Sequence, residues 1–146
     1  MPEAPAIPLL RWDDAPALGA EVAVTTRHGG RSVAPYDTLN LGLHVGDDPA
    51  AVVENRARAA GGFGASLDDL VFARQVHGAT ATVVGAEDRG RGTRSEDDAL
   101  PHTDIVVTTS HRLTLAILVA DCLPLALVDP AAGVLAAVHA GWRGTA

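Results

Sequence analysis

The last third of the chain constrains its fold most. Four short apolar segments, Asp104–Thr109, Leu113–Ala120, Leu125–Asp129 and Val134–His139, follow one another with little between them. Each has the length of a strand, and Asp129-Pro130 with Gly133 marks a turn between the last two. Near-continuous apolar strands are usually buried on both faces, so helices should cover this sheet. Upstream, one segment carries a clear helical signature. Asp48 is a natural N-cap, Pro49 suits the first helical position, Glu54 and Arg58 stand four apart, and Gly61-Gly62 supply a stop. These signals predict a helix over roughly Pro49–Ala60. One helix is too few to cover the predicted sheet, which hints that part of the fold lies outside this chain. Only 3% of the residues are aromatic, so the core must be built from Val, Leu, Ile and Ala.

The rest of the chain reads as strands joined by glycine-marked loops. Val22, Val24 and Thr26 share one face of a predicted strand, Glu21–Thr26, which runs into the tight loop His28-Gly29-Gly30. Residues 31–46 lack a period, being broken by Pro35, Asp37, Asn40, Gly42 and Gly46. Strands are expected near Leu70–Val76 and Thr80–Val84, joined by His77-Gly78-Ala79. The polar, charged stretch 85–103 reads as a mobile surface loop.

Charge and length narrow the function. A chain of 146 residues suits one domain and can bury a core. Its formal charge is −7, from 11 basic and 18 acidic residues, which makes nucleic acid and membrane surfaces poor partners. Every basic residue is Arg, and without Lys there is no Schiff-base or P-loop chemistry. The opening MPEAPAIPLLRWDDAPALG carries proline and acid where a secretory signal needs a basic and then an apolar run. The longest apolar run, Leu113–Ala120, is too short to span a membrane. A single Cys makes no internal disulfide, so a reducing cytoplasm is the default and the thiol is free for metal or nucleophilic work.

Three residues with ligand chemistry sit at predicted strand ends. Cys122 lies in Asp121-Cys122-Leu123-Pro124, where Pro124 is expected to turn the chain out of a central ladder. His139 closes a strand in Val138-His139-Ala140-Gly141-Trp142-Arg143-Gly144, and His77 stands at a strand-to-turn corner in Gln75-Val76-His77-Gly78. Taken singly, each has a bland reading: a small buried thiol, a hydrogen-bonded strand-end His, a turn His. Together, two imidazoles and a thiolate would make a three-ligand zinc site with a fourth position open, which is a catalytic arrangement. Their separations are long, so spacing alone is a weak signal. Of the other histidines, His102 and His111 read as solvated, and His28 and His44 as candidates to line a cleft. Arg27 and Arg143 lie beside glycines and are candidate phosphate ligands, with a plain surface Arg as the alternative for each.

Several motifs in order resemble one family. They are Thr25-Thr26-Arg27-His28-Gly29-Gly30, then Leu39-Asn40-Leu41-Gly42, Asp47-Asp48-Pro49 with Glu54-Asn55-Arg56, Gln75-Val76-His77-Gly78, Thr103-Asp104, Ala120-Asp121-Cys122-Leu123-Pro124, and Val138-His139-Ala140-Gly141-Trp142-Arg143-Gly144. From about residue 20 onward this resembles the YfiH family, also called the laccase-domain or multicopper polyphenol oxidase-like family. The resemblance implies an α+β fold of mixed β-sheets covered by helices, with residues 1–146 as a single domain incomplete at the carboxy terminus. It implies zinc held by His77, Cys122 and His139, with copper as the alternative metal. It implies phosphorolysis of purine nucleosides (adenosine, inosine, guanosine and methylthioadenosine) and deamination of adenosine. Cys122, His139 and Asp121 are then the catalytic candidates, with Asp121 as an outer-sphere or proton-handling group. Arg27, Arg143, Asn40 and His28 are the candidates for substrate and phosphate.

Three rival readings stay open. A copper oxidase would need many histidines, typically in His-x-His pairs, and no two of the six here are separated by one residue. A cysteine hydrolase would use Cys122 with His139 or His77 as base. A truncated or pseudo-enzyme domain would bind metal or a partner and turn nothing over.

Overall fold

The computed structural model describes residues 6–146, so the first five residues of the acidic, proline-containing start lie outside it. The fold is a mixed α/β arrangement of three sheets and few helices. Strands β1 (Leu9–Arg11) and β2 (Ala23–Thr25) form an antiparallel pair, so the predicted Glu21–Thr26 strand is present in its centre only. Residues 31–46 are irregular, as their composition predicts.

Helix α1 spans Pro49–Gly62. The Asp48 side chain accepts from the Ala50 N–H, and Pro49 occupies the first turn, where a missing donor costs nothing. The expected stop is displaced. Gly61 and Gly62 remain helical, and the left-handed residue that ends the run is Gly64, at φ +83°. Glu54 pairs with Arg31, from the irregular segment before the helix.

The buried face of α1 is partly polar. Asn55 is fully buried and ties down the irregular segment. Its Oδ1 accepts from the Arg31 N–H, and its Nδ2 donates to Ser32 Oγ and to the carbonyls of Thr38 and Asn40. Ser32 and Asn40 in turn donate to the Asp47 carboxylate, which holds that carboxyl below its ordinary value. Arg56 lies 3.9 Å over the Phe72 ring and donates to the carbonyls of Leu41, Gly92 and Thr93. Burial pulls its pKa down to about 10, still charged at neutral pH.

Those last contacts correct the expectation for stretch 85–103. It is packed against the body: Thr93 is fully buried and Leu100 nearly so. The reason lies upstream, in a buried guanidinium that needs carbonyl acceptors and finds them there.

Strands β3 (Leu70–Phe72) and β6 (Thr114–Ala116) pair in parallel, with Ala73 bridging to Leu100. Ala60 of α1 packs on Leu70 and Phe72. The main sheet has the order β4 (Ala81–Val84), β5 (Ile105–Thr108), β8 (Val134–Ala140), β7 (Leu123–Asp129). The β4–β5 pair is parallel and the others antiparallel. Val84 and Val106 on one face join Val71, Ala73, Leu100 and Leu113 in the core. The predicted Leu113–Ala120 strand is regular only over three residues near its start, Thr114–Ala116.

Two further expectations are corrected. Pro124 does not turn the chain; it lies inside β7, opposite His139. An edge strand tolerates proline because the nitrogen that cannot donate faces outward. The main sheet is also not buried on both faces, since Leu123, Leu127 and Val83 stand exposed on its two edge strands. A short helix, α2 (Trp142–Thr145), follows β8. No helix among the described residues is long and apolar enough to cross a membrane.

Replacing Asn55 with Ala leaves the half-buried Arg31 N–H and Asn40 carbonyl without this partner, each costing about 1–3 kcal/mol. Urea unfolding of Asn55→Ala should therefore show a loss of at least roughly 2 kcal/mol, and a loss under about 0.5 kcal/mol would contradict this account of the buried network.

Candidate metal centre

Three side chains far apart in sequence converge. One ligand atom each from His77, Cys122 and His139 lies within 4.8 Å of the others. The two imidazole rings meet edge to face, with centroids 4.8 Å apart and planes inclined by 74°. His139 is buried, Cys122 half-buried and His77 exposed, so the group is seated on protein at one side and open at the other.

Each ligand arrives on a different support. His139 lies near the end of β8, one of the two central strands of the main sheet. Cys122 immediately precedes β7, so it stands before a strand and not after one. Gln75 steadies the segment leading to it: its Nε2 donates to the Leu118 carbonyl and its Oε1 accepts from the Leu118 N–H, at 2.7 and 2.8 Å. His77 sits in a tight turn at φ +60°, a conformation that costs an L-residue roughly 1–2 kcal/mol.

Asp104 holds that turn. Its carboxylate is fully buried and accepts from the successive N–H groups of Val76, His77 and Gly78 at 2.9–3.1 Å. It also faces His139 Nδ1 at 2.7 Å. Burial by itself would raise the Asp104 carboxyl; the His139 contact and the three backbone donors outweigh it and hold the group below the ordinary carboxylate range. With Nδ1 engaged, His139 has Nε2 left to offer a metal.

The sequence reading gave the outer-sphere part to Asp121. In the structure Asp121 is exposed, and its carboxylate approaches the Cys122 sulfur at 3.8 Å. Desolvation, then the charges of Asp121 and Asp104, push the Cys122 thiol up. That direction is opposite to the depression found at nucleophilic cysteines. Asp104 and Gln75 were missed as site residues. The available signal was an acid at the head of the apolar run Ile105-Val106-Val107, where a charge needs partners.

The other candidates are spread more widely. Arg27 and Asn40 line the same broad concavity as the three ligands. At about 2160 Å³ it far exceeds a ligand pocket of about 300–1,000 Å³ and is an open face. Arg27 donates to the Asp37 carbonyl and lies 3.6 Å from its carboxylate. The Asn40 amide is engaged in a local turn with Gly42 and with Asp47. His28 and Arg143 are exposed and lie outside that lining, Arg143 5.2 Å from the Trp142 ring. His102 and His111 are exposed, as expected.

Two glycines permit the convergence. A Cβ on Gly141 would come 3.1 Å from the His77 ring and 3.5 Å from the Cys122 sulfur. A Cβ on Gly144 would come 2.3 Å from the Gly78 carbonyl oxygen, so α2 packs backbone to backbone on the His77 turn.

A mixed α/β fold thus brings two imidazoles and a thiol together in a group that could hold a metal ion. Comparison with known proteins places the chain in a family. Residues 21–146 match the family described as "Multi-copper polyphenol oxidoreductase laccase". "Purine nucleoside phosphorylase YlmD" of Geobacillus stearothermophilus is 44% identical over 137 residues, covering 94% of this chain and 50% of that protein. A purine nucleoside phosphorylase of Corynebacterium glutamicum is 49% identical over 120 residues, covering 82% and 46%. The crystal structure of YlmD from Geobacillus stearothermophilus superposes with a TM-score of 0.90 at 43% identity, covering 99% of this chain and 53% of that one. The hypothetical protein YfiH of Bacillus licheniformis gives 0.84 at 39% identity, covering 86% and 47%. The chain belongs to this laccase-like YfiH family, and it spans about half the length of the curated relatives it matches.

Gly144→Ala should lower stability by about 1–3 kcal/mol, the usual cost of overpacking, because the obstacle is a backbone carbonyl. Gly61→Ala, in α1 with open space around it, should gain up to about 1 kcal/mol. Thermal unfolding of the two variants side by side checks the contrast, and equal midpoints would refute it.

Proposed function

We propose that this chain carries the metal centre of a zinc-dependent purine nucleoside phosphorylase, with His77, Cys122 and His139 as the zinc ligands. The observation that carries the reading is the convergence of those three ligand atoms within 4.8 Å of one another. Two neutral imidazoles and a thiolate suit a borderline-soft divalent ion, and one side of the cluster is open, as a catalytic site requires. A bound zinc would supply Lewis-acid polarisation of phosphate or water there.

The chain's own residues supply the rest. Phosphorolysis brings phosphate to the sugar's anomeric carbon as the purine leaves. Arg27, in the shared concavity, is the candidate cation to hold that anion, with Arg143 of α2, beside the metal turn, as the second. Asn40 and His28 shape the approach from the amino-terminal loop. Asp121, the carboxylate nearest the thiol, is the proton-handling candidate. The substrates proposed are adenosine, inosine, guanosine and methylthioadenosine, with deamination of adenosine as a second activity. Support comes from the relatives named as purine nucleoside phosphorylases. A thiolate ligand also suits a reducing, cytoplasmic setting.

Copper oxidation has less behind it. The family's description carries the word copper, but multicopper chemistry needs many imidazoles, and this cluster has two.

The test is metal content together with turnover of inosine and adenosine, with and without phosphate. One zinc per chain and phosphate-dependent release of free base are expected, with Cys122→Ala losing both. Zinc without turnover would replace the enzyme reading by a metal-binding domain, stoichiometric copper would replace zinc, and full activity of metal-free Cys122→Ala would overturn the centre itself.

A further inference from the structure

We infer that Asp104 is the positioning residue of this centre, one carboxylate that presets two of the three ligands before any metal arrives. The inference rests on the metal reading proposed above. Asp104 is fully buried, and its two oxygens take four donors: the N–H groups of Val76, His77 and Gly78, and Nδ1 of His139 at 2.7 Å. A carboxylate has about four lone-pair sites, so the set is complete.

Each donor group does a separate job. The three successive N–H groups form a concave anion-binding nest, a backbone shape that needs a left-handed residue, and His77 at φ +60° is that residue. The carboxylate therefore offsets the cost of the turn that presents the His77 ring. The fourth donor fixes the other imidazole. A carboxylate accepts only, so Nδ1 of His139 must carry the proton, which leaves the Nε2 lone pair for a metal. The sheet makes this pairing possible: the His139 N–H donates to the Asp104 carbonyl at 2.8 Å, so Asp104, immediately before β5, lies beside His139 of β8.

Asp104→Asn is close in shape and removes one acceptor oxygen. Its amide must present N–H either to the nest or to Nδ1 of His139, so one of the two ligands loses its preset geometry. The expected result is a zinc dissociation constant raised about 10- to 100-fold in chelator competition. The cobalt-substituted form should keep its sulfur-to-metal charge-transfer band, since Cys122 makes no hydrogen bond to Asp104. A purely structural role would lower thermal stability and leave zinc affinity of the folded protein unchanged, and that result overturns the inference.

A second measurement needs no variant. Long-range ¹⁵N–¹H correlation spectra of the metal-free wild-type chain should show His139 as the Nδ1–H tautomer. The Nε2–H tautomer would overturn the inference even if Asp104→Asn failed to fold. Should the wild-type chain show the expected tautomer yet bind no zinc, the metal reading fails while the positioning of His139 stands.

Discussion

A buried carboxylate surrounded by four donors organises one end of this molecule. An isolated charge in that position would be prohibitively costly, so Asp104 stays ionised only because backbone and imidazole donors replace its water. The requirement acts in both directions. The turn at 76–78 is left-handed because its N–H groups point at one anion, and the last residues of β8 are held because His139 meets the same anion. The ligand cluster follows from this pairing, with Gly141 and Gly144 leaving the space into which the His77 turn fits.

A second polar knot steadies the loops around α1. Asn55 and Arg56 are adjacent on α1, both buried, and they face different loops. Asn55 fastens residues 31–40 and Arg56 fastens Leu41 together with Gly92 and Thr93. Side chains thus supply hydrogen bonds that strands would supply elsewhere, which is how long irregular segments bury their backbone here. The concavity that Arg27 shares with the ligands borders these fastened segments.

What the sequence made legible had local causes. Asp48-Pro49 fixed the start of α1, since a cap and a proline act within one turn. The apolar runs at 105–108 and 134–140 identified their strands. His77, Cys122 and His139 stood out because each lies beside glycine or proline at a strand end, and the ordered motifs named their family. What stayed hidden depended on partners remote in sequence. Whether Pro124 ends a strand or sits within one turns on which strand is at the edge. Whether 85–103 is loose turns on a guanidinium some forty residues earlier. The importance of Asp104 over Asp121 turns on which carboxylate faces inward, and both follow an innocuous neighbour in the sequence.

The placement of Pro124 affects the margin of the main sheet. In an antiparallel edge strand, alternate amides face away from the sheet, and in β7 the set containing residue 124 is the outward one. That row begins with a missing donor right beside the half-buried thiol. A foreign strand laid along the rim would find its ladder broken at the first rung next to Cys122, while the rungs from Ala126 onward stay available. The edge of the sheet is therefore poorest in strand-pairing donors at the rung closest to Cys122.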